Sequence, residues 1–269
     1  MNPSVAGPVE RVVGVGVMET GLPEVAVRRL SPLARYELRL VLFATAFVLV
    51  AIPFGLLLHQ VLSKGPVTTF DEEWAQWLND RFHDHGVAIG ILHVVSYTGK
   101  PIFLVVAIGV PVIWLLRRGA TKLAIFLVVT CLSGGLVDTI VKIVVGRPRP
   151  DVDHPIITAY GNSFPSGHSM QAVVCYGALL LVLLPLIPEH RRRLAIGITA
   201  TWALLIGLSR LALGVHYVSD VAGGFVLGAA WLAASVAAFE IWREDRGRRH
   251  THVLEEGVEP EEAEELVDS

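Results

Sequence analysis

The chain alternates long apolar runs with short polar segments, and several runs are long enough to cross a membrane. An α-helix rises 1.5 Å per residue, so about 20 apolar residues cross a hydrocarbon core of about 30 Å. On this basis we predict six spans, near residues 38–62, 87–116, 123–145, 168–186, 194–213 and 217–242. Gly99-Lys100-Pro101 interrupts the second span and leaves 87–95 as an interfacial segment. The predicted fold is all-α, an integral membrane six-helix bundle.

A short amphipathic helix is predicted between the first two spans. Apolar and aromatic residues recur there at helical spacing, namely Phe70, Trp74, Trp77, Leu78 and Phe82. Acids and amides between Asp71 and Asp80 fill the other face. This pattern is typical of a helix that lies on the membrane with its tryptophans at headgroup depth. The His83-Asp84-His85 that follows has no further ligand at a known spacing, so we predict no metal site there.

Composition agrees with a membrane protein. Hydrophobic residues make up 53% of the 269 residues and charged residues only 17%, against about 25% charged in soluble domains. The formal net charge of -3 does not indicate a nucleic-acid partner. Cys131 and Cys175 both lie in apolar runs, which favours buried, inert thiols over a disulfide or a metal site.

The distribution of basic residues predicts the orientation. They fall in four groups: Arg11, Arg28, Arg29, Arg35 and Arg39; Arg117, Arg118 and Lys122; Arg191, Arg192 and Arg193; and Arg243, Arg246, Arg248 and Arg249. All four groups lie on one side of a six-span path, and that side is therefore cytoplasmic. We expect a multi-pass protein of the cell (plasma) membrane with both termini in the cytoplasm.

The chain divides into three predicted regions. Residues 1–36 form a flexible cytoplasmic tail without a signal-peptide pattern, so we expect the first membrane helix to direct targeting. Residues 37–242 form the transmembrane domain. Residues 243–269 first add basic residues and then many glutamates, which predicts a disordered acidic cytoplasmic tail.

Three polar clusters interrupt the apolar pattern, and the predicted topology brings all three to the outer face. The first ends the third span with Lys142 and Arg149-Pro150, the second is Pro165-Ser166-Gly167-His168, and the third extends from Ser209-Arg210 to His216 and Asp220. Ionisable groups within a membrane protein are costly and usually functional. We therefore interpret the clusters as one site.

The residue types suit a phosphate. Lysine and arginine neutralise its charge, and a glycine at a helix N-terminus lets backbone amides approach it. His168 and His216 can supply a nucleophile and a proton donor, and Asp220, four residues after His216, can orient that imidazole. Taken alone, Lys142 or Arg210 could be a snorkelling residue at a helix end, and His216 could be a buried histidine with its hydrogen bonds satisfied. These separate explanations do not account for the occurrence of all three clusters at one face.

Two further residues lie close to the first cluster. Asp138, four residues before Lys142, is most simply its structural ion-pair partner. Arg147 is either a secondary phosphate ligand or a headgroup contact.

With these spacings, the three clusters resemble the signature motifs of the type 2 phosphatidic acid phosphatase superfamily, which includes undecaprenyl-diphosphate and phosphatidylglycerophosphate phosphatases. The resemblance implies that His216 attacks phosphorus to form a phosphohistidine, that Asp220 orients it, and that His168 protonates the leaving oxygen. It also implies that the phosphoryl oxygens are held by Lys142, Arg149, Arg210, Ser166 and Gly167. Neither a metal nor another cofactor is implied.

We therefore predict a metal-independent membrane phosphatase that acts at the outer face on a lipid phosphate or pyrophosphate. The candidate substrates are a polyprenyl pyrophosphate such as undecaprenyl diphosphate, phosphatidic acid and phosphatidylglycerophosphate. One alternative is a lipid phosphotransferase that uses the same phosphohistidine. Another is a transporter or channel, which the position of the charges at one end of the spans disfavours. The sequence leaves the lipid and the oligomeric state open.

Overall fold

The computed structural model describes residues 52–244, 246 and 251–268, and every regular element in those residues is helical. The predicted tail at 1–36 and the first part of the first predicted span lie outside the described residues.

The described helices are α1 (Ile52–Leu62), α2 (Pro66–Phe82), α3 (Gly86–Tyr97), α4 (Pro101–Arg117), α5 (Thr121–Val145), α6 (Gly167–Gln171), α7 (Gly177–Leu183), α8 (Glu189–Ala212), α9 (Val218–Glu244), α10 (Val253–Glu256) and α11 (Pro260–Asp268). A π-helical turn at Ala172–Tyr176 joins α6 to α7, and a 3-10 turn at Leu184–Leu186 follows α7.

Four continuous stretches in the described residues are long and apolar enough to cross a membrane: α5, the Gly167–Leu186 stretch, α8 and α9. The pair α3 and α4 passes the same test together but is bent by 48°. The bend falls at the predicted interruption, because Lys100 is extended and Pro101 begins α4. The all-helical membrane fold is confirmed with four or five spans, and the count of six stays a prediction.

Glycines on α9 allow it to pack backbone to backbone against α6. A Cβ built on Gly224 would lie 2.6 Å from the Ser166 carbonyl oxygen, and one on Gly228 would lie 2.8 Å from the Met170 carbonyl oxygen. Small residues permit such close helix pairs in membranes. This contact places the second and third predicted clusters side by side.

Helix α2 has the opposite orientation to a surface helix of a soluble protein. Its polar residues Asp71 and Asn79 are fully buried, while Trp74 and Trp77 are exposed. The Asn79 side chain donates to the His154 carbonyl at 2.6 Å and accepts from the His154 amide at 3.0 Å. Asp71 and Asn79 therefore pack on the protein, and Asn79 holds the loop between α5 and α6.

The described part of the C-terminal region is helical, and the prediction of a disordered acidic tail is wrong for residues 251–268. Glu259 is fully buried and pairs with Arg243 Nε at 2.5 Å and with Lys122 Nζ at 2.9 Å. Val258 and Leu266 join the main apolar core. Basic partners on α5 and α9 neutralise part of the acidic segment, so α10 and α11 pack against the bundle.

We expect Glu259→Ala to destabilise the protein by about 3–5 kcal/mol, because it leaves the buried guanidinium of Arg243 with fewer counter-charges. Thermal unfolding in detergent measures this effect. Glu264→Ala, at an exposed glutamate on the adjacent α11, is the matched control and should leave the transition unchanged. Equal transitions in the two variants would contradict a stabilising role for the Glu259 pair.

Candidate active site

A cavity of about 640 Å³ lies between α4, α5 and α6 and has one charged end. Six of the eight predicted site residues line it: Lys142, Arg149, Gly167, His168, Arg210 and His216. The remaining wall is largely apolar and includes Leu104, Val105, Ile108, Val112, Val128 and Leu132. The cavity therefore joins a cationic pole to an apolar groove that follows α4 and α5.

His216 lies in the turn between α8 and α9, and its side chain is only 3% exposed. Its Nδ1 is 3.3 Å from Asp220 Oδ2, and its Nε2 is 3.2 Å from Arg149 Nη1. A carboxylate only accepts and a guanidinium only donates, so the proton belongs on Nδ1 and the lone pair on Nε2. This tautomer directs the nucleophilic nitrogen toward the cationic end of the cavity.

The charge state of His216 suits a nucleophile. Burial lowers the pKa of this imidazole to about 4, although hydrogen bonding and attraction from Asp220 act in the opposite direction. The ring is therefore neutral at neutral pH, and its Nε2 carries the lone pair that accepts from Arg149 Nη1.

Asp220 lies behind His216 in the first turn of α9 and is fully buried. Its Oδ2 accepts from the Tyr217 amide at 2.9 Å, and its Oδ1 accepts from Arg147 Nη1 at 2.7 Å. The Asp220 carbonyl accepts from the Ser166 amide at 2.9 Å, which links the second and third clusters directly. The carboxylate is thus held on both oxygens.

His168 enters the cavity from the first turn of α6. Its Nε2 is buried and has no hydrogen-bond partner within the described part of the chain. A Cβ built on Gly99 would lie 3.0 Å from His168 Cδ2, so the break between α3 and α4 packs tightly against the ring. An unpartnered buried nitrogen beside the cationic pole is suited to bind a ligand oxygen.

Two of the three predicted phosphate-binding cations, Arg149 and Arg210, are held by neutral groups. Arg149 donates from Nη1 to the Val215 carbonyl at 2.8 Å and from Nε to the Gly161 carbonyl at 3.1 Å. Arg210 donates to Ser96 Oγ at 2.7 Å, and its Nε is buried with no partner in the described chain. These contacts orient both guanidinium groups without cancelling their charge.

Lys142 is the cation with a carboxylate partner. Its Nζ lies 2.7 Å from Asp138 Oδ1 and also donates to the Pro165 carbonyl. The predicted Asp138–Lys142 ion pair is confirmed. A Cβ on Gly167 would lie 2.7 Å from Asp138 Oδ2 and 3.2 Å from Lys142 Nζ, so a side chain at this position would displace the pair.

Ser166 lies behind the cavity rather than in its wall. It is fully buried, and its hydroxyl oxygen caps α6 by accepting from the Ser169 amide at 3.5 Å. The same oxygen accepts from the Ser169 hydroxyl at 3.0 Å. Its side chain is therefore directed away from the position predicted for phosphate.

The sequence interpretation missed the role of Arg147 and the participation of Asp71. Arg147 is 7% exposed and bonds Asp71 and Asp220, so it is not the headgroup contact that was one of its two predicted roles. The signal was weak, because Asp71 resembles the other acids of an amphipathic helix and lies 76 residues from Arg147 in the chain.

Known proteins are similar to this chain in sequence and in fold. Residues 122–244 match the model of the PAP2 superfamily. Phosphatidylglycerophosphatase B of Bacillus subtilis is 32% identical over 187 residues, which cover 65% of this chain and 86% of that protein. A lipid A 1-phosphatase of Rhizobium johnstonii is 32% identical over 125 residues, 42% of this chain and 46% of that protein.

A solved structure is similar as well. The crystal structure of a transmembrane PAP2-type phosphatidylglycerolphosphate phosphatase from Bacillus subtilis superposes with a TM-score of 0.65 at 25% identity. The match covers 76% of this chain and 98% of that one. Since the matched segment contains all three polar clusters, and a relative above 30% identity is covered over most of its length, this chain belongs to the PAP2 superfamily.

Proposed function

We propose that this protein is a membrane lipid phosphatase that removes a phosphoryl group through a phosphohistidine on His216. The observation that carries the proposal is a cavity in which a pole of three cations and two histidines opens into an apolar groove. Such a cavity is complementary to a lipid with a phosphorylated headgroup. The named relatives, which are phosphatases of lipids, support the same substrate class.

In the first step, the Nε2 lone pair of His216 forms a bond to phosphorus while the phosphorus–oxygen bond to the lipid breaks. The leaving oxygen takes a proton from His168, whose protonated form is favoured by a bound phosphate dianion. Asp220 stabilises the positive charge that develops on the His216 ring. Lys142, Arg149 and Arg210 stabilise the charge on the transferring oxygens.

In the second step, water attacks the phosphohistidine and phosphate is released. His168 has lost its proton in the first step, so it can accept one from the attacking water. The nitrogen–phosphorus bond breaks and returns the electron pair to His216 Nε2. The cationic side chains can supply the charge stabilisation in both steps, so we propose a reaction that needs no metal ion.

The apolar groove favours a substrate with at least one long hydrocarbon tail. Its lining on α4 extends from Pro101 to Val112, eleven residue rises or roughly 16 Å. By likeness to the Bacillus relative, phosphatidylglycerophosphate is our leading substrate. Phosphatidic acid and polyprenyl pyrophosphates share the same chemistry and remain candidates.

We propose the predicted topology for this enzyme: residues 37–242 form a six-span domain in the plasma membrane, with cytoplasmic termini and an outward site. The basic residues between the spans support this orientation. The exposed aromatic face of α2 supports a location at headgroup depth.

A phosphate-release panel tests the proposal. The purified protein in detergent is given phosphatidylglycerophosphate, phosphatidic acid, undecaprenyl pyrophosphate and the water-soluble p-nitrophenyl phosphate, each with and without EDTA. Binding energy from the tail should make kcat/KM for the preferred lipid about 10²-fold or more above that of the soluble ester. Equal turnover of the soluble ester would contradict the lipid assignment, and loss with EDTA that magnesium restores would contradict the metal-free reaction.

Gly109→Leu tests the groove itself. Gly109 lines the cavity, and a Cβ built on it meets nothing within 4 Å, so a leucine fills groove space without a clash at its Cβ. We expect KM for the lipid to rise about tenfold, while turnover of p-nitrophenyl phosphate stays near wild type. Gly197→Leu is the matched control, because Gly197 is an exposed α8 glycine whose Cβ also meets nothing. An unchanged lipid KM in Gly109→Leu would place the tail elsewhere.

A further inference from the structure

We propose that Asp71 and Arg147 are positioning residues for the reaction, acting through Asp220 on the nucleophile His216; this rests on the function proposed above. Asp71, Arg147 and Asp220 form a chain of contacts, called the relay here, that connects α2 to the first turn of α9 through the loop after α5. Helix α2 therefore contributes a residue to the support of the active site, in addition to any role of its exposed face at the membrane.

Arg147 is the centre of the relay. Its Nη1 lies 2.7 Å from Asp220 Oδ1 and 2.6 Å from Ser219 Oγ, and its Nη2 lies 2.8 Å from Asp71 Oδ2. The guanidinium carbon also lies 4.1 Å from the centroid of the Tyr217 ring. The guanidinium is fixed in one orientation, because carboxylates bind it on two sides and an aromatic ring covers its face. It therefore holds Asp220 Oδ1 in place.

Asp71 anchors the same turn from the other side. Its Oδ1 accepts from the Ser219 amide at 3.0 Å, and its Oδ2 accepts from the Ser219 hydroxyl. An anionic carboxylate at this amide is favoured by the helix dipole of α9. Asp71 therefore fixes the helix start that carries Asp220, as well as the arginine that binds it.

Burial makes these contacts persistent. Asp71 and Asp220 are fully buried, Ser219 is 3% exposed and Arg147 is 7% exposed. Water cannot readily replace a lost partner in such a place, and each charge depends on the others.

The charges of the relay also account for the presence of a second carboxylate. Arg147 and Asp220 alone sum to zero, which would weaken the field that stabilises positive charge on the His216 ring. With Asp71 included, the trio has a formal charge of -1, since two carboxylates oppose one guanidinium. That charge faces the imidazole as the nitrogen–phosphorus bond forms and the ring becomes cationic.

The test is a kinetic comparison of Asp71→Asn with wild type, using the preferred lipid of the panel. We expect kcat to fall about 10- to 100-fold, the size of the loss when outer-shell partners of metal-binding histidines are removed. KM should stay within about twofold, because the three phosphate-binding cations and the groove are unchanged. Glu73→Gln neutralises an exposed carboxylate on the same helix and should match wild type.

A double-mutant cycle distinguishes positioning from mere structural damage. Asp71→Asn is repeated in an Asp220→Asn enzyme, in which the carboxylate that Asp71 is proposed to act through is absent. We expect Asp71→Asn to lower kcat less than about threefold in that background, whereas independent structural damage predicts the same loss again. An Asp71→Asn enzyme with wild-type kcat, a loss in KM alone, or the full loss repeated in the Asp220→Asn background would overturn the inference. An inactive wild type would instead overturn the proposed function.

Discussion

His216→Ala should lower kcat/KM for the lipid phosphate by about 10⁴-fold or more while the protein stays folded. The alanine removes the nitrogen that bonds phosphorus, and nucleophile deletions in enzymes that form covalent intermediates have effects of this size. Asp220 keeps its contacts to the Tyr217 amide and Arg147, so the fold does not acquire an isolated buried charge. Phosphate release from the purified variant measures its turnover, and its thermal transition shows whether it is folded.

The matched control for this variant is His190→Ala. His190 is an exposed histidine at the start of α8, and its removal should leave turnover unchanged. Turnover of His216→Ala within tenfold of wild type would exclude His216 as the nucleophile.

His168→Gln should have the second-largest effect, and its size should depend on the leaving group. For a lipid alcohol, which leaves poorly without a proton, we expect a loss of about 10²- to 10⁴-fold in kcat/KM. For p-nitrophenyl phosphate the leaving group is already a weak base, so nitrophenol should still appear in a rapid first turnover. The second step should then be slow, because the same residue is the proposed base.

Stopped-flow absorbance of nitrophenol, compared with phosphate release, separates the two steps in His168→Gln. An early burst of nitrophenol followed by slow phosphate release agrees with His168 as the general acid of the first step and the base of the second. Equal losses on the lipid and on the nitrophenyl ester, with no burst, would contradict the assignment of His168 as the general acid.

Much of the site was predictable because its spacing is local. The interval from His216 to Asp220 is one helical turn, which already predicts that the carboxylate reaches the imidazole. The pair of Asp138 and Lys142 follows the same rule. The convergence of the three clusters also followed from the predicted spans. Successive spans run in opposite directions, so the end of one span and the start of the next lie on the same face.

The sequence pattern did not predict the interactions between segments that lie far apart in the chain. Arg147 and Arg149 are two residues apart and chemically identical, yet one pairs with buried carboxylates and the other lines the cavity. Only the fold decides this, since Asp71 reaches Arg147 from a separate helix. The buried partners of Glu259 likewise lie on α5 and α9, so composition alone indicated a disordered tail.

Helix α2 illustrates a limit that is specific to membrane proteins. Periodicity predicts an aromatic face and a polar face, but it does not say which residues are buried. In a soluble protein the apolar face would pack inward, whereas here the tryptophans are exposed and Asp71 and Asn79 lie inside. Lipid can cover an apolar face, and the protein interior supplies partners for the polar one.

The most direct test of the account is to trap the phosphoenzyme. Wild-type protein and His216→Ala are mixed with a lipid substrate labelled in its phosphate, quenched in base within the first turnover, and digested for mass spectrometry. We expect a phosphoryl group, at most one per wild-type chain, that is labile to acid and located on His216, and none on the variant. Phosphate release from the wild type without any labelled peptide, or with label on another residue, would contradict it.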